Sequence, residues 1–312
     1  MTASPQISIV IPCYNAAETI AETLASACAQ TLTDTEIVVV DDGSTDASAA
    51  IVARAAERDG RIRLVRQENG GVARARNVGV VHARARIIAF LDADDLWAPN
   101  ALAQHLSHIM IRPGLGVSFA RVRFMRRDGT DTSTISSGAI RDVSAERFLF
   151  ENPTATTSTW VVLRRAFEDA GGFDETMRHA EDQEFLFRLL TRTAWKVSGL
   201  DTVLVRYRAS GGGLSSDLAR MEEGWCDLMR RAKALAPQLV DAHGARARAV
   251  MMRYLARRAV RLRGGIVPAF AYMGRSIQAD WRLAFAEPRR TLLTFAGVCA
   301  YPLMPAEATR GG

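Results

Sequence analysis

The stretch IIAFLDADDLWAPN, residues 87–100, sets an apolar run from Ile87 to Leu91 directly ahead of three carboxylates, Asp92, Asp94 and Asp95. The apolar half reads as a buried strand. Like charges crowded at its end repel, and desolvation raises their pKa values further. One reading is a polar turn in which an aspartate caps the following helix. The other is a site for a divalent cation, which would relieve the repulsion and take hard oxygen ligands.

The same pattern recurs along the first third of the chain. ISIVIPCY (7–14), TEIVVVDDGSTD (35–46) and RIRLVRQ (61–67) read as strands, separated by helical stretches at 16–30, 47–58 and 72–84. Strands alternating with helices of 10–15 residues imply βαβ units and a parallel sheet. Ligands in such sheets bind at the carboxyl ends of the strands, where these acids fall. Strand patterns near 115–125, 157–165 and 195–208 follow, with a helix opening at Glu181–Asp182. From 217 onward the sequence reads helical, with breaks at Pro237, Gly264–Gly265, Pro268 and Pro288. The expected fold class is therefore α/β over residues 1–216, followed by a basic helical region over 217–312.

Composition is that of a globular protein, 48% hydrophobic and 24% charged in 312 residues, which excludes a low-complexity or fibrous chain. Cys13, Cys28, Cys226 and Cys299 are scattered without a CxxC pair, so neither zinc nor a disulfide framework is indicated. The N-terminal run has no basic segment ahead of it and reads as a first strand rather than a signal peptide. Residues 1–216 carry 24 basic against 26 acidic side chains, whereas 217–312 carry 16 against 8. The whole positive excess lies in the last third.

Three acidic clusters need one explanation: Asp41–Asp42, Asp92/Asp94/Asp95 and Glu181–Asp182. The first two are expected on neighbouring parallel strands, and the third at a helix start, where a carboxylate caps backbone N–H groups. Taken in order, SIVIPCYNAAETI, IVVVDDGSTD, ENGGVARARNVGV, IAFLDADDLWAP, AGGFDE, AEDQEFLFRL and YRASGGGLS resemble glycosyltransferase family 2, inverting enzymes of the GT-A fold. The resemblance spans residues 5–216. It implies a nucleotide-binding αβα sandwich with a mainly parallel sheet, to which the C-terminal helices are an extension. It also implies transfer of a sugar from a nucleotide-sugar donor, a UDP-sugar first, to a lipid-linked or saccharide acceptor.

Residue by residue, Tyr14 resembles the aromatic that packs on the nucleobase, Asp42 the acceptor of the base imino N–H, and Asp41 a wall of that pocket. Asn69, Arg76 and Asn77 match the segment beside the nucleotide, and a guanidinium suits phosphate oxygens. Asp92 resembles the ribose-side acid of the DxD motif, Asp94 the ligand of Mg²⁺ or Mn²⁺, and Asp182 the catalytic base. Glu181 lines the acceptor site, and Asp95 is structural. Two departures stand out: Ser210 occupies a place where relatives carry a histidine near the metal, and Ala85 one where they carry glycine. Arg206 and Arg208 suit either diphosphate or salt bridges.

Other readings compete. A dinucleotide-binding oxidoreductase would need G-x-G-x-x-G after the first strand, and PCYNAAET has no glycine there. A sugar-phosphate nucleotidyltransferase would carry a glycine-rich basic loop at that point. An inactive nucleotide-sugar-binding module is the non-enzymatic alternative. In the last third, RARAVMMRYLARRAVRLR (246–263) lines up Met251, Leu255, Ala259 and Leu262 among arginines, as an interfacial helix on anionic lipid does, or a core-facing helix with a basic outer side. TLLTFAGVCAYPLMP (291–305) is apolar but shorter than the ~20 residues of a membrane span and contains Pro302, so it is expected either in the membrane interface or packed on the domain. The expectation is a non-processive enzyme in exopolysaccharide synthesis, cytoplasmic and peripheral on the inner membrane face. Nucleic acid is excluded as a partner because the basic stretch has little aromatic interleaving.

Overall fold

The computed structural model describes residues 4–208, 217–262 and 265–301. β1 (Ile7–Cys13) and β2 (Thr35–Asp41) are buried at every position, as strands of a sheet covered on both faces must be, and their interior polar side chains Ser8 and Glu36 hydrogen-bond each other. β3 (Ile62–Arg66) and β4 (Ile87–Phe90) complete a parallel order β3-β2-β1-β4. α1 (Ile20–Cys28), α2 (Ser48–Arg58) and α3 (Val72–His82) make the crossovers. Pro12 is tolerated in the central β1 because it lies past the last β1–β4 pair, Val10–Phe90. α3 approaches β1 so closely that a Cβ on Gly79 would stand 2.3 Å from Val10 Cγ1.

Past β4 come β5 (Leu96–Trp97), β6 (Leu115–Met125), β7 (Asp131–Ile135), β8 (Val161–Leu163) and β9 (Lys196–Arg208). β8 runs antiparallel between β4 and β6, β6 runs parallel with β9, and β5 closes the edge antiparallel to β9. The sheet is thus parallel through its N-terminal strands and mixed beyond them. Only Val161–Leu163 of the strand expected over 157–165 pairs in the sheet; Thr157–Thr159 forms a 3₁₀ turn instead. α4 (Ala101–Ile111), α6 (Arg164–Ala170) and α7 (Glu181–Arg192) pack on these strands. Phe90, Trp160, Phe167, Phe173 and Phe185 form one aromatic cluster, with Phe173 and Phe185 centroids 5.0 Å apart. This cluster anchors the first turns of α7 to β4, a few residues from the acids that each element carries.

The chain forms two compact units, Met1–Ala145 with Asn152–Ser210, and Glu146–Glu151 with Gly211–Gly312. The second contains most of the short α5 (Ala145–Phe150) and then α8 (Leu218–Leu235), α9 (Pro237–Arg261), α10 (Ile266–Ala279), α11 (Leu283–Ala286) and α12 (Pro288–Ala300). Pro237 and Pro288 open their helices and Pro268 sits in the first turn of α10, positions where the missing N–H costs nothing, so Pro268 is no break. α8, α10 and α12 all pack on α9. Of the residues the sequence offers for a lipid surface, Leu255 and Ala259 are fully buried in α9, Met251 is half-buried and Leu262 is 40% exposed, so the middle of that face is core. Among the described residues no helix is long and apolar enough to cross a membrane.

Candidate active site

Asp41 ends β2 and Asp42 follows it, and Asp92 to Asp95 follow β4. These strands are not neighbours as the sequence implied: β1 lies between them and pairs with both. Glu181 and Asp182 open α7, and the residue before them, Ala180, takes a left-handed conformation with φ 58°. An alanine held there stores strain of order 1 kcal/mol, which fixes the angle at which α7 enters the site.

Arg76 joins two of the acidic clusters. It is buried on α3, donates from one terminal nitrogen to Asp92 Oδ1 at 2.7 Å and from the other to Glu181 Oε1 at 2.8 Å, and lies 5.5 Å over the Phe173 ring. Both terminal nitrogens are therefore engaged by carboxylates, while the buried Nε has no hydrogen-bond partner. The place beside phosphate expected for Arg76 is that of a brace between the β4 turn and α7.

A second connection was not legible in the sequence. Asn152 Nδ2 donates to Asp182 Oδ2 at 2.6 Å, and four and five residues later Thr156 and Thr157 donate to Asp92. Ser158 accepts from the Asp92 N–H and donates to Asp95 Oδ2 at 2.6 Å. The segment Asn152–Ser158 thus holds both acidic clusters through short polar side chains. Ala155, at φ 65°, bends it into place. Burial, and after it the charge of Glu181, push the Asp182 carboxyl up to about 6.

In the β4 turn, Asp95 is fully buried and accepts from Ser158 and from the Arg208 N–H. Burial raises its pKa well above the usual range. Arg208 donates to the Asp94 carbonyl at 2.9 Å and to Glu22 at 2.7 Å, so it braces the turn from beneath. Arg206 is spent on Asp131 and the Gly129 carbonyl. Asp94 differs from its neighbours, because no described side chain hydrogen-bonds its carboxylate. Burial and then Asp92 push it up to about 6. A half-buried, unpaired carboxylate destabilised by a like charge is a group that a cation would stabilise. Among the described residues no three His, Cys, Asp or Glu side chains form a closed cage. That donor set fits an ion such as Mg²⁺, which is held by one or two carboxylates together with substrate phosphates. Ser210 lies outside the described residues.

The third corner is built from loops. Asp42 accepts from Gln67 Nε2 and from the N–H groups of Gly70 and Gly71 at 2.7–2.9 Å, and its carbonyl accepts from Asn69. The Asp42 carboxylate is thus committed to the 67–71 loop, and Asn69 with it. Among the described residues the buried Asp41 carboxylate accepts only the Ser44 N–H, at 3.3 Å. Tyr14, 52% exposed, follows β1 on a loop that Asn15 ties to Thr45. Asn77, expected beside the nucleotide, exchanges hydrogen bonds with the Phe173 backbone and reaches Glu175, which makes it a clamp on the 172–175 loop.

A strand end with an exposed tyrosine, a buried aspartate on the next strand, an acidic turn and a raised carboxyl at a helix start occur in one order along this sheet. The model of glycosyl transferase family 2 matches residues 8–171. The chain belongs to this family. It is 34% identical to the uncharacterized glycosyltransferase EpsJ of Bacillus subtilis over 68% of its length, and the match spans 63% of that relative, just under two thirds. It is 32% identical to the succinoglycan biosynthesis protein ExoU of Rhizobium meliloti, over 71% of this chain and 68% of that one. A mannosyltransferase from Pyrobaculum calidifontis, solved with GDP-mannose and Mn²⁺, superposes with a TM-score of 0.60 at 20% identity, covering 97% of this chain and 87% of that one. At that identity the likeness establishes the GT-A fold.

Proposed function

We propose that this member of family 2 transfers one sugar at a time from a nucleotide-sugar to a lipid-linked or polysaccharide acceptor, in a single displacement with inversion. The observation that carries the reading is Asp182: a carboxyl pushed up to about 6, at the first turn of a helix that Arg76 ties to the acidic turn of β4. A base with a pKa just below neutrality is deprotonated at physiological pH yet still able to take the acceptor's proton. Asp182 removes the proton from the acceptor hydroxyl as that oxygen attacks the anomeric carbon. Arg76 and Asn152 hold the base's neighbour and the base itself.

On the donor side, Tyr14 stacks on the nucleobase, and because the Asp42 carboxylate is engaged by the 67–71 loop, Asp41 takes over from it the base imino N–H that the resemblance gave to Asp42. Asp42, Asn69 and Asn77 shape the pocket from behind, and Asp92 faces the ribose. Asp94 holds Mg²⁺ or Mn²⁺ together with the donor diphosphate; when bound, the ion neutralises charge on the departing nucleoside diphosphate. The Mn²⁺ and GDP-mannose in the Pyrobaculum enzyme support a metal and a nucleotide-sugar here. The succinoglycan relative supports a polysaccharide product. The enzyme works at the inner face of the cell membrane.

Saturation-transfer NMR with UDP-, GDP- and dTDP-sugars, the UDP series first, identifies the donor, and the anomeric configuration of the product tests the displacement. Binding without turnover across an acceptor panel would reduce the protein to a binding module. A product that retains the donor's configuration would end the single-displacement reading.

A further inference from the structure

The helical unit, described by itself, leaves large apolar side chains facing outward on two of its helices. α10 turns Ala269, Met273 and Ser276 inward and leaves Val267, Phe270 and Ile277 exposed, the last three at helical spacing along one face. α12 does the same: Thr291, Thr294 and Val298 are buried, whereas Leu292, Leu293 and Phe295 face outward. Between these helices Trp281 and Phe285 stand 60% and 76% exposed, their rings edge to face at 5.8 Å. A soluble helix normally buries its large apolar side chains and exposes its small polar ones. Scattered exposed apolar residues need no explanation, but faces on successive helices, joined by an exposed aromatic pair, do.

The charge around these faces favours one occupant. Residues 257–301 contain eight arginines against two acids, Asp280 and Glu287. Glu287 is paired with Arg253 and Arg290, so it offers little opposing charge. Arg289 lies three and four residues before Leu292 and Leu293, on the same side of α12, and is exposed. Arg282 stacks beside Trp281, 6.0 Å from its ring. Desolvation and then the like charges of Arg261, Arg253 and Arg290 lower the Arg257 pKa, a sign that positive charge is crowded there. Arginine heads beside tryptophan, phenylalanine and leucine match a bilayer interface, with phosphate outside and acyl chains beneath.

We propose that the outward faces of α10 and α12, with Trp281 and Phe285 between them, dock this protein on an anionic lipid surface. This deepens the location proposed above and assigns it to a surface other than the α9 face the sequence suggested. No donor or acceptor is needed for the contact, so it can fail while the transfer reading stands.

The test is flotation of the full chain with phosphatidylcholine vesicles, with and without phosphatidylglycerol, at low and high salt. Binding should require the anionic lipid and weaken with salt. Trp281→Ala with Leu293→Gln, both at exposed positions, should keep the helical circular dichroism and turnover of a soluble acceptor, while the bound fraction falls tenfold or more. Arg282→Glu with Arg289→Glu should abolish the preference for anionic lipid. Absence of flotation at low salt, or equal flotation of the Trp281/Leu293 variant, overturns the proposal. So does light scattering that shows a dimer, broken by that same variant, with no lipid binding, because the face is then a protein contact.

Discussion

Asp182 offers the most direct test of the catalytic reading, through its pH dependence. Burial and Glu181 push its carboxyl up to about 6, while the Gln183 N–H, Arg76 and Asn152 pull the other way. A base must be deprotonated, so kcat/KM should rise with unit slope below about 6 and level off above it. Asp182→Asn should lower turnover about 10²–10⁴-fold and flatten that limb. Asn152→Ala perturbs the same carboxylate without removing it. Its amide donates to the charged form at 2.6 Å. A hydrogen bond to a charged group contributes ~1.5–3 kcal/mol, and one pKa unit corresponds to about 1.4 kcal/mol, so the limb should move up by about one to two units. The variant would then lose much of its rate near pH 6 and recover most of it at higher pH. The assay is release of nucleoside diphosphate at subsaturating acceptor, where the rate reports kcat/KM, across the pH range. A limb that stays near 6 in Asn152→Ala, or that persists in Asp182→Asn, would assign the ionisation elsewhere, with Asp94 the first candidate, and refute the base assignment.

Arg76→Leu strands Asp92 and Glu181 without their shared cation and should cost about 3–5 kcal/mol, read as a lowered denaturant midpoint; a loss below about 1 kcal/mol would mean the brace is dispensable. Asp94→Asn removes a carboxylate that Asp92 destabilises, so the metal-free protein should melt no lower than the parent near neutral pH, while Mn²⁺ binding in the presence of donor is lost. A Gly79→Ala side chain would meet Val10 Cγ1 at 2.3 Å, and pushing α3 off β1 should cost about 1–3 kcal/mol, visible as a lower melting temperature without a change of fold.

The parallel half of the fold was legible because its signal is local. β4 is an unbroken apolar run, and β1 and β2 carry such runs at Ile9–Ile11 and Ile37–Val40, which is most of what burial on both faces demands of a sequence. The segment 152–160 was not legible, since its threonines and serine look like the polar side of a strand. Their partners, Asp92 and Asp95, lie more than 60 residues away, and no periodicity encodes such pairs. The acids themselves could be found, but not their states. Nothing in DADD tells that Asp95 is sealed by Ser158 and the Arg208 backbone while Asp94 is left open. For the α9 stretch, pattern failed for another reason. An apolar stripe among arginines is the same whether it faces lipid or α10, and only packing decides. The exposed faces of α10 and α12 carry the opposite lesson, since their small buried residues leave no amphipathic stripe of the usual hand.

The charge of the site carries one more prediction. Asp92, Asp94, Glu181 and Asp182 set four carboxylates against two guanidiniums, Arg76 on Asp92 and Glu181 and Arg208 beside Asp94, leaving aside Asp95, which burial drives toward its neutral form. A nucleoside diphosphate brings two or three further negative charges to this edge of the sheet. Without a cation, diphosphate and acids repel, and their partial burial makes screening by salt a weak remedy. Cation and donor should therefore bind cooperatively, each raising the affinity of the other by the same factor. Couplings of this kind amount to about 1–3 kcal/mol, so the dissociation constant of the donor's nucleoside diphosphate should fall about 5–150-fold when Mn²⁺ replaces chelator. The reciprocal measurement, Mn²⁺ binding with and without the diphosphate, should give the same factor. In Asp94→Asn both effects should shrink together, because the shared carboxylate is gone. Calorimetry on the two legs tests the cycle, and equal diphosphate affinity in Mn²⁺ and in chelator would show that this acidic turn does not hold the metal.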